Sequence, residues 1–104
     1  MDIKDFGWER QKSEIPKGDY WFDGRFLVTV GVESSLSRPE MLLIYADIKN
    51  LVGQHGGQDY LQVYMQKEKG YKLFLIDSVT RTSLLTGEIS PEDNYCTLMF
   101  DHEY

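Results

Sequence analysis

A chain of 104 residues with 41% apolar, 27% charged and 13% aromatic side chains is sized for one folded domain, and its aromatic content argues against disorder. Eleven basic against seventeen acidic residues give 11 − 17 = −6, a balance that repels duplex nucleic acid and anionic membrane, because affinity for either comes from Lys and Arg. The imbalance sharpens after Ser83, where Glu88, Glu92, Asp93, Asp101 and Glu103 face no Lys or Arg.

Residues 1–18 mix charges around Gly7, Pro16 and Gly18 without a sustained period. They read as an N-terminal arm before a single α+β domain over 19–104, with Phe6 and Trp8 either packed on that domain or left as docking anchors. No apolar h-region follows Met1 and no run reaches the length of a membrane span, so a cytoplasmic setting is expected. Tyr20-Trp21-Phe22, Asp23-Gly24 and Arg25 to Val30 have the form of a hairpin, since Asp-Gly suits a tight turn needing positive φ.

Ser37-Arg38-Pro39-Glu40 is a helix start: an N-cap serine, a proline in the first turn and a glutamate closing a capping box. Met41, Ile44, Tyr45, Ile48, Leu51 and Val52 then share one face, which predicts a helix from Arg38 to Val52 ended by Gly53. Gly53 to Gly57 lacks the Lys-Ser/Thr ending and strand-to-helix context of a phosphate loop.

Asp59 to Glu68 alternates, with Leu61, Val63 and Met65 on one face and Tyr60, Gln62 and Tyr64 on the other. Lys69-Gly70 marks a turn before a returning strand, Tyr71 to Ile76. Ser78 to Asp93 is polar and punctuated by Gly87 and Pro91, a mobile loop by composition. Tyr95 to Phe100 closes the set. The expected fold is α+β: an antiparallel sheet of four to five strands, order (β)β-α-β-β-β, with one amphipathic helix across one face.

Three consecutive features carry a resemblance: Val28-Thr29-Val30-Gly31-Val32, the apolar helix, and Asp59-Tyr60-Leu61-Gln62-Val63-Tyr64. Over about Arg25 to Ile76 the chain resembles a family of small uncharacterised bacterial and phage proteins, catalogued as domain of unknown function 960. Val30 stands where members carry Arg, and the helix lacks their Trp. The ending Thr97 to Tyr104 is similar to the closing strand of some phage and plasmid proteins. Together these resemblances imply a bacterial, phage or plasmid origin, and neither carries over an activity or catalytic residues.

Candidate chemistry is sparse. His55 and His102 are the only imidazoles and Cys96 the only thiol, a poor supply for zinc and none for an internal disulfide. Adjacent strand residues such as Asp101, His102 and Glu103 point to opposite faces. Cys96 with His102 lacks an orienting third group. No enzyme, cofactor or metal is therefore expected. The sequence leaves open which sheet face the helix covers. If the Tyr60, Gln62, Tyr64 face is open, its tyrosines combine contact area with polar tips, as binding surfaces do. The expected partner is then a protein, basic in character, engaged by Tyr60, Gln62, Tyr64 and Trp21 and steered by Glu88, Glu92 and Asp93. The alternatives are stacking of single-stranded nucleic acid on the same face, a small enzyme using the Ser78–Asp93 loop, and a homodimer paired through the Tyr95–Phe100 edge.

Overall fold

Where alternation meets a neighbouring strand, the chain forms a sheet. In the computed structural model, which describes all 104 residues, five strands are present: β1 (Trp8–Arg10), β2 (Arg25–Val28), β3 (Leu61–Gln66), β4 (Tyr71–Asp77) and β5 (Tyr95–Phe100). They lie side by side as β1-β3-β4-β5-β2. The β1–β3, β3–β4 and β4–β5 pairs are antiparallel, and β2 lies parallel to β5. The fold is α+β as expected, but the sheet is mixed. A parallel relation follows from the connection: β2 and β3 run the same way, and the chain crosses the sheet between them as a helix.

That helix, α2 (Arg38–His55), begins as the sequence predicts. The Ser37 hydroxyl accepts from Glu40 N, and the Glu40 carboxylate accepts from Ser37 N at 3.0 Å. It ends three residues later than expected, at Gly56 (φ 83) rather than Gly53. A Cβ on Gly53 would touch nothing, so that glycine weakens the last turn without stopping it. Ile44, Ile48 and Val52 are buried against the sheet, each worth roughly 1.5–3 kcal/mol.

The Asp23-Gly24 hairpin does not form. Phe22 takes a positive φ of 51° and donates its N–H to Asp77 Oδ2 at 2.9 Å, while Tyr20 pairs with Gln58. Gly24 is needed for close approach, because a Cβ there would strike the Asn94 carbonyl. β2 stops at Val28 because the Thr29 hydroxyl caps a short helix, α1 (Val30–Ser35).

Three further expectations change. The N-terminal arm is partly sheet: a 3-10 turn over Ile3–Phe6 leads through Gly7 (φ 78) into β1, with Ile3 and Trp8 buried. The Ser78–Asp93 segment holds a helix, α3 (Arg81–Thr86), capped by Thr80, and a 3-10 turn at Pro91–Asp93. β5, expected as a free edge, is paired on both sides; the edges are β1 and β2. No helix is long and apolar enough to cross a membrane.

Candidate functional site: the uncovered sheet face

Burial along the strands decides the orientation that alternation left open. Trp8, Tyr64, Leu73, Leu75, Cys96 and Leu98 point into the layer beneath α2 and are fully buried. Gln62, Gln66 and Asp77 share that side. The expectation that Gln62 and Tyr64 meet a partner is therefore corrected. The Tyr64 hydroxyl donates to Asp47 Oδ2 at 2.9 Å, and the same oxygen accepts from Arg10 Nε at 2.8 Å. Gln62 Nε2 donates to Asp59 O at 3.1 Å, and its Oε1 accepts from the Ser13 hydroxyl. A buried amide or phenol needs such partners, since leaving it unpaired costs about 1–3 kcal/mol. These residues tie β3 to α2 and to the segment after β1.

The opposite face carries no helix. Register sets its rows: Val63 faces Phe74, which faces Met99; Leu61 faces Ile76, which faces Thr97, which faces Leu27. Met65 lies between Glu9 and Lys72. The result is a continuous apolar face, with Lys72, Glu9 and Arg25 at its margins. Leu27 is 40% exposed and Met65 39%. A solvated sheet face normally alternates to polar side chains, so an apolar one departs from the rule.

One segment reaches over it. After a 3-10 turn at Asp101–Glu103, the Tyr104 ring meets Phe74 edge-on at 5.7 Å between centroids. Glu103 anchors that turn, accepting from the Thr29 hydroxyl and from Phe100 N, each at 2.8 Å, and these bonds hold its carboxyl below the usual range. The neighbouring Tyr104 hydroxyl raises the Tyr60 phenol, and the Tyr60 ring lies 5.9 Å from the Tyr20 ring. Tyr20, Tyr60, Tyr104 and Phe74 thus form an aromatic row.

Of the residues singled out in the sequence, Tyr60 alone joins this face, at 38% exposure. Trp21 is half-buried beneath the Arg81 guanidinium, 3.6 Å from its ring, away from the tyrosine strand's side chains. Glu92 and Asp93 are exposed in the turn before β5, where the Glu92 carbonyl accepts from Arg25 and the Asp93 carbonyl from Ser78. Glu88 is exposed beyond α3. Sequence reasoning missed Val63, Phe74, Ile76 and Met99 as surface residues. Their strands carry apolar residues on both sides, and Gln62 and Gln66, which lie on the buried face, mark the wrong side as the solvated one.

The thiol is not poised for attack. Burial, reinforced by the Asp77 charge beside it, pushes Cys96 up to about 12, so it stays protonated at neutral pH. Burial likewise raises Asp77, against hydrogen bonds from Phe22 N and Ser78 N. No three His, Cys, Asp or Glu side chains are grouped so as to hold a metal ion. No family model, curated protein or solved structure matches the chain.

Proposed function

We propose that the protein is a non-enzymatic docking module whose contact surface is the uncovered sheet face, and whose partner is a basic protein presenting an amphipathic apolar segment. The observation that carries this reading is the apolar composition of a face that water would otherwise solvate, centred on Val63, Phe74, Ile76 and Met99. Burying such a face is favourable at roughly 25 cal/mol per Å². Charge selects the occupant. Two copies of this chain, each at −6, repel one another, whereas a cationic partner gains in encounter rate and orientation. An accessory or inhibitory role in a phage or plasmid setting belongs to the same proposal.

A synthetic Leu/Lys amphipathic helix and its Leu/Glu counterpart test it. The cationic peptide is expected to bind and to shift amide signals of β3, β4 and β5, with Val63→Glu abolishing binding while the circular dichroism spectrum is unchanged. Absence of binding, shifts centred elsewhere, or equal affinity for the anionic peptide would overturn it, as would a stable dimer by light scattering. A second reading rests on the aromatic row and on Lys72, whose Nζ lies 6.0 Å from the Phe74 ring. Single-stranded nucleic acid stacks on such rings, and oligouridylate binding that falls steeply with salt would favour it.

A further inference from the structure

In an acidic protein a cavity without carboxylates is informative. The cleft beside Trp8 is lined by Asp2, Glu9 and Asp47, that beside Leu61 by Glu14 and Asp59, and that beside Gly24 by Asp23 and Glu92. A fourth, of about 450 Å³, lies between the end of β1, the segment after it and the last turns of α2. Arg10, Lys12, Lys17 and His55 line it, with Leu51 and Gln58, and no Asp or Glu does. Glu14, the one acid between Lys12 and Lys17, lines the neighbouring cleft instead. Two stretches of chain, residues 10–17 and 51–58, bring these groups together.

We propose that this cleft binds a small phosphate-bearing anion, held by Lys12, Lys17 and the terminal nitrogens of Arg10. Lys12 and Lys17 form no ion pair within the chain. Arg10 commits only Nε, at 2.8 Å, to Asp47, which fixes the guanidinium plane and leaves its two terminal nitrogens without a bond. A planar fork of this kind suits phosphate oxygens. Asp47 offsets Arg10, but Lys12 and Lys17 have no counter-charge, and a bound anion relieves their repulsion. The volume falls within the range of small-molecule sites, roughly 300–1,000 Å³. The closing carbonyls of α2 oppose an anion here, although Gly56 N already takes up Val52 O at 2.8 Å. Arg10, Lys12 and Lys17, which line the cleft, outweigh the partial charge of about half an elementary charge at a helix C-terminus. The site is independent of the sheet face and stands whether or not a protein docks there.

Calorimetric titration of the full chain with inorganic triphosphate and with ATP, at about 50 mM salt, provides the test. Saturable binding is expected, with amide shifts at Arg10, Lys12, Lys17, Leu51 and His55. The double variant Lys12→Gln, Lys17→Gln should weaken it at least about tenfold. Tighter binding of ATP would identify an organic phosphate, and equal binding would assign recognition to the phosphates alone. Neutralising Lys67 and Lys69 together, the lysine pair at the β3–β4 turn, should leave affinity unchanged. No binding of either probe at millimolar concentration overturns the proposal. So does an equal loss in the Lys67/Lys69 variant, which would mark diffuse attraction to lysine.

Discussion

Asp47 holds two partners with one oxygen, and the consequence is measurable. Tyr64→Phe removes the hydroxyl bonded there while Arg10 keeps the carboxylate satisfied. Urea unfolding should show a loss of about 0.5–1.5 kcal/mol, with no change in peptide binding, because Tyr64 lies on the covered side. Ser37→Ala removes the α2 cap and should cost roughly 0.5–2 kcal/mol. Asp77 gives a pH dependence whose sign follows from its raised folded-state pKa. The protonated form is the one folding favours, so its contribution is complete below the unfolded carboxyl range and disappears as pH rises through the raised value. The stability margin of the parent over Asp77→Asn, measured by urea unfolding across a pH series, should therefore shrink as pH rises above the ordinary carboxyl range. Glu40 behaves oppositely. Burial would raise its carboxyl, but bonds from the Trp8 indole and from Ser37 hold it below its ordinary value, so its contribution fades as pH falls. Cys96, kept protonated by burial, should resist iodoacetamide in the native protein and react fully once unfolded.

At the scale of elements, α2 was legible because its signals are local: a cap, a proline, a box and a stripe all lie within one segment. Its end was not. Gly53 and Gly56 are both candidate terminators, and which one acts depends on the final turn's contacts beyond the helix. The β3–β4 hairpin was likewise readable from alternation and its Lys69-Gly70 turn. Orientation of that hairpin was a different matter. Val63 and Tyr64 are equally plausible core residues, and the choice is made by Asp47, Arg10 and Ser13, which are distant in sequence. Gly24 misled for a related reason: its signal concerns space beside Asn94, seventy residues on, rather than the turn it adjoins. The uncovered face yields a prediction of its own. Tyr104 lies over Phe74 and occupies part of the surface a partner would use. Tyr104→Ala should raise affinity for the Leu/Lys peptide, read by fluorescence anisotropy, whereas a fall would assign the ring to the contact itself.

For the whole molecule, net charge constrains encounter more than shape. With −6 overall, association with a cationic partner should slow markedly as salt rises, while dissociation from the apolar face changes little. The charge map could be read from composition alone. The placement of Lys12, Lys17 and Arg10 around one acid-free hollow could not, since it depends on how the segment after β1 wraps the end of α2. The parallel seam between Arg25–Val28 and Tyr95–Phe100 carries a temporal consequence. During synthesis β2 is made early, yet its only sheet neighbour is the last strand to be translated, and forming that contact closes a long loop. Until then Phe26 and Val28 must wait unpaired. Nascent chains halted before Tyr95 should thus stay protease-sensitive around β2.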